Sequence, residues 1–509
     1  MITLPHVTIE VGEPLTSISE EEALTLQEIR VQQRLSMPNL CELTFENFPT
    51  SGTNNPILKI GNPFQVSVKN FSTPLFIGEI TAVEYSYEPS NRQVVRVRGY
   101  DWLHQLRKRQ PVQIRVQSTV VSLARELVEK LKPTINVQKS SGVSGTLPEQ
   151  IIQYTQSDLG LLQEIAGEQG IYFTLRKNVL HLLTLKGIGE SEKLVLGESL
   201  HEARVEVNSD TACRSVKVDG WDPLLTKKYE GQVKLARVGR DVPSEAPPSK
   251  VGGTGERFFV DEVIQDNKQA EGIAQAKLDF YTAGEVSFWG VSEGTPDLRP
   301  GTPIKVEGLH KSIEGRYVLT SVNHTIDGQK GFLSEMFTIP PLPPQRRKGS
   351  AVTFGEVTQI NDPKKLGRVK VKLPTYNNLE TEWMGVVCPG AGVDKGIISL
   401  PDIDDKVVVL FAHENPIQGM ILGGLYGSKS PPDTGIEGGS VKKFTFLTPG
   451  QQKMVLDDSR KAVLIQNKDG SYLELLPGKV KLHSKTKLEI EAPGNPIVIR
   501  GDKIDFKKG

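Results

Sequence analysis

The sequence predicts a mainly β protein with a small α+β insertion, an OB-type barrel, and a C-terminal ribbon of stacked short strands. Three observations carry this. Apolar and polar residues alternate with period two through residues 1–110 and again through 190–345. Between them, 111–189 switches to helical spacing. From Lys461 onward, short alternating segments recur every seven to ten residues, joined by Asp469-Gly470, Pro477-Gly478, Pro493-Gly494 and Gly501-Asp502. Evenly spaced short strands of that kind signal a β-solenoid or β-prism.

The chain has 509 residues, which predicts about three or four domains. In 1–110, FQVSVKNF (64–71), IGEITAVEYSY (77–87) and RQVVRVRGYDW (92–102) read as strands, with a turn cluster at 49–56. In 111–189, Ser118 is placed to cap a helix carrying Val120, Leu123, Leu127 and Leu131, which stops before Pro133. Ser157 opens a second helix that ends at Gly170. In 190–345, strands return around one helix near 267–283, with Gly284 as its expected stop. The run PPLPPQRRKGS (340–350) favours an extended polyproline conformation and marks a boundary. Residues 351–427 carry five or six short strands, as a small OB barrel requires. Residues 428–443 read as a linker, and 444–509 as the ribbon.

The ribbon's segments are AVLIQ (462–466), YLELL (472–476), VKLHS (480–484), KLEIE (487–491), PIVIR (496–500) and KIDF (503–506). Each offers only two or three apolar side chains, so one copy cannot enclose a core. Alternation puts Val463, Ile465, Leu473, Leu475, Val480, Leu482, Leu488 and Ile490 on one inner face and His483 on the other. Burying that face calls for several copies wound together.

Composition narrows the function. Lys+Arg and Asp+Glu both number 61, which disfavours nucleic acid as the partner. A local basic cluster (Arg96, Arg98, His104, Arg107, Lys108, Arg109) reads as a solvated face or a protein interface. The three cysteines, Cys41, Cys213 and Cys388, lie far apart without a CxxC pair, so neither a zinc site nor a disulfide framework is expected. No signal peptide or membrane-spanning run is visible, and a chain soluble when made, in a reducing compartment, is expected.

Several words in the chain match a known family. GEVTQINDPKKLGRVKVKLP (355–374), Trp383, SLPDIDDKVVVLF (399–411) and NPIQGMILGGLYG (415–427) resemble the OB domain of contractile-tail spikes: the bacteriophage central spike, baseplate assembly protein V, and VgrG of type VI secretion. Residues 1–340 resemble the late-control-D tail hub, best in 157–182 and 297–327. The resemblance implies two tube-like hub β-barrels, at 1–110 and 190–345, which a homotrimer presents to a sixfold tube. It implies that the ribbon is an intertwined triple-stranded β-helix, though its glycines sit in turns rather than in valine–glycine repeats. Six strands at about 4.8 Å spacing give a needle of roughly 30 Å. Such a stub calls for a separate PAAR-like tip protein. Inner tube and baseplate proteins are the other implied partners, with the target membrane touched transiently. The compact length most resembles an extracellular contractile injection system, with a phage tail or type VI VgrG as alternatives.

Catalysis is not expected. A lysozyme domain, which some phage spikes insert after the OB barrel, does not fit within 428–443. Asp404-Asp405 and Asp457-Asp458 fall in predicted loops rather than facing across a cleft. No G-x-S-x-G elbow occurs, and VGGTGE (251–256) leads into a strand pattern rather than a phosphate-binding helix. His324 reads as a packed strand histidine, and His483 alone makes no metal site. No cofactor is expected. The alternative of a different class is a glycan-binding or glycan-hydrolysing baseplate protein.

Overall fold

The computed structural model describes residues 6–49, 55–89, 92–116, 119–144, 147, 151–222, 227–344, 350–412 and 419–507. The chain divides into two compact units, Met1–Gly424 and Leu425–Gly509.

In the first unit the two β-rich regions are joined edge to edge. One eleven-stranded sheet runs from Leu200–Val207 through Val286–Glu293, Gly331–Phe337 and Ser321–Asp327 into Leu26–Arg34. It continues through Leu40–Glu46, Gln93–Tyr100, Phe76–Tyr87, Pro63–Val68 and Val7–Val11 to Thr16–Ser17. The seam is antiparallel, with His324 opposite Val31 and Ile326 opposite Ile29. The regions predicted as two barrels thus share a sheet but keep separate cores. One core gathers Val31, Leu43, Phe45, Phe64 and Val97; the other gathers Leu200, Phe288, Ile304, Val322 and Met336. Gly99 is required where Phe64 crosses the first core. A Cβ there would overlap the Phe64 ring and sit 2.6 Å from the Glu79 carbonyl.

The insertion folds on helices Val120–Val128 and Asp158–Glu168. Thr119, not Ser118, caps the first: its Oγ1 accepts from Ser122 N at 3.1 Å. Ser118 lies outside the described residues. Ser157 caps the second, accepting from Gly160 N at 3.2 Å. Leu123, Leu127, Leu162, Ile165, Phe173 and Leu182 close this core. A further helix, Asn267–Glu285, packs on strands Lys227–Val233, Ser215–Asp222 and Glu256–Val263. It runs through Gly284, the expected stop, to Glu285. The carboxylate of Glu285, the helix's last residue, is fully buried between Arg214 and Arg240.

Residues 350–424 close into a barrel. Ser350–Gln359 pairs Lys406–Ala412, which pairs Gly419–Gly424, which pairs Met384–Val386; that strand pairs Arg368–Leu373, which returns to Ser350–Gln359. The turn NDPKKLG is held by Asp362. Its carboxylate accepts from Lys364 N at 3.0 Å and Leu366 N at 2.8 Å, and takes the Arg368 guanidinium in a fork at 2.9 and 2.6 Å. Those contacts hold its pKa well below the usual carboxylate range. The barrel core (Val357, Val371, Val409, Phe411, Ile421) also receives Ile152, and Val112, Ile114 and Tyr154 pack against it. The barrel is therefore docked on the insertion by apolar contact, within one compact unit. The predicted boundary at 345–349 lies outside the described residues.

The second unit is a five-stranded antiparallel meander: Lys443–Leu447, Lys453–Asp457, Ala462–Gln466, Tyr472–Leu476 and Lys479–His483. A small hairpin, Ile436–Glu437 with Ser440–Val441, precedes it in the predicted linker. Three of the six segments expected as strands form. The other three, 487–491, 496–500 and 503–506, do not. Beyond His483 no neighbouring strand of the same chain pairs with them. The two earliest strands of the meander were not anticipated.

The insertion also holds a buried ion cluster. Asp158 is fully buried; Arg115 reaches it at 3.0 Å and Arg109 at 3.0 Å, while Gln153 donates to it at 3.0 Å. Replacing Asp158 by Ala would leave the buried Arg115 with Glu126 as its remaining carboxylate. The expected cost is about 1–3 kcal/mol, read as a lower denaturation midpoint in guanidinium.

Candidate functional site: an uncovered apolar sheet face

The meander's register sorts its side chains into two unlike faces. Directly opposed residues of antiparallel strands share a face. One row runs Phe444, Leu456, Val463, Leu475, Val480; a second runs Phe446, Met454, Ile465, Leu473, Leu482. All ten are apolar. The opposite face is mixed: Lys443, Thr445, Lys453, Gln466, Glu474, Lys481 and His483 alternate with Leu447, Leu464, Tyr472 and Leu476, and Val455, Asp457 and Ala462 are buried on it.

Nothing in the described second unit covers the apolar rows at their outer end. Phe444 is 60% exposed, Phe446 58%, Val480 68% and Leu482 60%. Full burial of each such side chain is worth about 1.5–3 kcal/mol. A contiguous apolar patch of this kind marks an interaction surface. Of the inner-face residues expected from sequence, Val463, Ile465, Leu473, Leu475, Val480 and Leu482 lie together on this face. Leu488 and Ile490 do not join it. Both are exposed in the segment that forms no strand. Phe444, Phe446, Met454 and Leu456 were missed, although KFTFL and KMVLD alternate as the later segments do. His483 lies on the mixed face, its ring centroid 5.0 Å from that of Tyr472.

The other candidate groups have local partners. Asp405 accepts from Asp402 N at 2.8 Å, and Asp457 from Arg460 N at 2.9 Å, so both serve turns. Strand Glu256–Val263 follows VGGTGE. Arg96 and Arg98 both pair with Glu84 at 2.9 Å, Arg109 pairs with Asp158, and Arg107 stacks over the Tyr100 ring at 4.8 Å. Among the described residues no cluster of three or more metal-ligating side chains occurs, and no helix is long and apolar enough to cross a membrane.

The architecture is that of a tail hub followed by an injector OB barrel and a β-structured tail. The phage tail baseplate hub (GPD) family profile matches residues 34–330, and the type VI secretion system/phage-baseplate injector OB domain profile matches 353–426. The chain belongs to the phage tail baseplate hub family, with the VgrG-type order of hub and OB domain. Among curated relatives, the actin cross-linking toxin VgrG1 of Vibrio cholerae is 24% identical over 327 residues, 57% of this chain and 29% of that protein. The chain thus spans less than a third of that relative's length. Among solved structures, a chain of the lidded Francisella PdpA–VgrG complex superposes with TM-score 0.60 at 10% identity, covering 95% of this chain and 81% of its own. An Escherichia coli type VI secretion component, described as similar to T4 tail proteins, gives 0.52 at 15% identity, covering 79% and 96%.

His324 sits on the strand at the hub seam, fully buried. Its Nε2 donates to the Leu298 carbonyl at 3.1 Å and its Nδ1 accepts from Ser334 Oγ at 2.8 Å. Burial, with Arg299 nearby, lowers its pKa to about 3. The folded state therefore holds it neutral, while the unfolded chain takes a proton near pH 6.5. Its contribution is complete above pH 6.5 and is lost as pH falls from there toward 3. The stability advantage of wild type over His324→Gln should be flat above pH 7 and shrink below 6.5 by up to about 1.4 kcal/mol per pH unit, measured by denaturant titration across pH.

Proposed function

We propose that the chain is the central hub–spike of a contractile injection machine, acting as a homotrimer. The carrying observation is the two five-residue apolar rows on an uncovered sheet face. Three copies of that sheet, apolar faces inward, make a three-sided prism in which each sheet covers the other two. Segments 487–491, 496–500 and 503–506 keep the same alternation and expose Leu488, Ile490, Ile497, Ile499 and Ile504. Strands from neighbouring copies would give them the ladder their own chain does not.

Family membership supports a role at the tail hub, and the OB barrel docked on the insertion supports a spike built onto that hub. In this reading the hub receives an inner tube protein, baseplate proteins surround it, and a PAAR-like tip caps the prism. The spike's work is mechanical: sheath contraction supplies the force, and the prism transmits it through a target envelope. The acidic pairs that serve turns are consistent with a protein that performs no hydrolysis. Production in a bacterial cytoplasm precedes assembly into the particle.

Light scattering of the purified full chain should report three copies, where a stable monomer would end the proposal. Leu475→Asp together with Leu482→Asp places carboxylates on the shared core and should dissociate the trimer, because buried charge without a partner is costly. Removing residues 440–509 should abolish or weaken assembly while the OB barrel still folds. A fully assembling truncation would remove the prism from the mechanism.

A further inference from the structure

A second feature lies in the first unit and does not depend on how many copies assemble. The hairpin of Tyr172–Arg176 and Val179–Leu183 meets the loop at 295–302 across a cleft of about 330 Å³. Arg176, Lys177 and Arg299 line it, with Asp297 as the one carboxylate among its described lining residues. Arg299 is 8% exposed. Its Nε donates to the Pro296 carbonyl at 2.7 Å and its Nη2 to the Pro74 carbonyl. Arg176 Nη2 donates to the Pro300 carbonyl at 2.9 Å and to Thr302 Oγ1 at 3.1 Å.

Every one of these acceptors is neutral. Arg176 Nε is buried without a hydrogen-bond partner. The hydrogen bonds of both guanidiniums thus go to carbonyl and hydroxyl oxygens, and Asp297 offsets Arg299 only through space. A purely structural arginine of this burial ordinarily meets a carboxylate, as Arg115 does at Asp158. Asp297 is exposed at the rim. Burial and the neighbouring Arg299 charge lower Arg176 to about 10, and burial lowers Arg299 to about 10, so both stay cationic at neutral pH. His181, lowered by burial and by Arg176, adds a neutral ring to the wall.

The turn is shaped for this closeness. Gly301 has φ +85°, and a Cβ there would meet the Leu183 side chain at 2.7 Å and Arg176 Nη2 at 3.6 Å. The loop therefore lies close against the hairpin, and both arginines line the cleft.

We propose that this cleft binds a phosphate-type oxyanion between Arg176 and Arg299, with Lys177 at the mouth. The Nε and Nη2 donors are engaged by the loop or buried, so the Nη1 groups would donate to such a group singly, with the Lys177 ammonium completing the neutralisation. The volume equals about ten waters at about 30 Å³ each. That is more than one phosphate needs, so a phosphomonoester, its body filling the mouth, suits the site better than the bare ion.

The test is isothermal titration calorimetry on the full chain with inorganic phosphate and glucose 6-phosphate at constant ionic strength, against chloride. Saturable binding is expected for both, tighter for the ester. Tighter binding of the bare ion would assign the site to free phosphate. Lys177 has φ +54°, which asparagine tolerates, so Lys177→Asn removes the rim charge without backbone strain. It should weaken binding about fivefold and leave the thermal midpoint of the free protein unchanged. Arg176→Gln should abolish binding. No saturable heat with wild type, or equal affinity in wild type and Lys177→Asn, overturns the assignment.

Discussion

A sheet with one apolar face must be covered, and the C-terminal meander has no such cover within its own described unit. That single constraint orders the rest of the chain. The two rows from Phe444 to Val480 and from Phe446 to Leu482 are as regular as a protein core, but two or three apolar residues per strand are too few to fold over on themselves. Turns of two to five residues between the strands prevent the sheet from doubling back. On the proposed reading, like sheets supply that cover. The strand edges point the same way: Lys479–His483 leaves an unpaired edge, and the segments after it hold the alternation of strands without a ladder.

The first unit solves the opposite problem. Its strands come from two stretches separated by more than a hundred residues, yet they share one ladder at the seam of Ser321–Asp327 with Leu26–Arg34. Backbone hydrogen bonds in that seam are continuous, so the two halves cannot shift without breaking them. The OB barrel is fixed differently, by Ile152 entering its core and by Tyr154 packing at a tilt on Tyr376, which meets Phe411 edge to face, with centroids 5.5 and 5.6 Å apart. Both devices oppose shear between neighbouring parts.

Much of this was legible in the sequence, because period and turn chemistry are local. Asp362 and Gly367 of NDPKKLG announced their turn, Ser157 its helix, and the alternation from Val463 to Leu482 its shared face. What was not legible depended on distant pairing. No local pattern says that His324 lies opposite Val31, so two regions read as separate barrels. The helix runs past Gly284 to Glu285, whose carboxylate meets two arginines, one of them seventy-one residues away along the chain. Phe444 to Leu456 were readable by the same alternation and lie within the ribbon's bounds, but before Ala462, the first of the segments read as strands. Leu488 and Ile490 show the converse limit: alternation predicts a strand, yet a strand exists only where a neighbour completes its ladder.

The buried arginines follow the same logic at smaller scale. A side chain that is chemically unfinished within its own chain points outward to what finishes it. Asp158 and Glu285 are each closed by two arginines, and nothing further is implied by them. Arg176 and Arg299 hydrogen-bond only to neutral oxygens, beside open volume where Asp297 is the one carboxylate among the described lining residues. In a low-dielectric wall such a charge attracts an anion more strongly than it would in water. The apolar face and the cationic cleft are thus two cases of one rule: unsatisfied chemistry held in a rigid frame identifies its own missing partner, apolar in the first and anionic in the second.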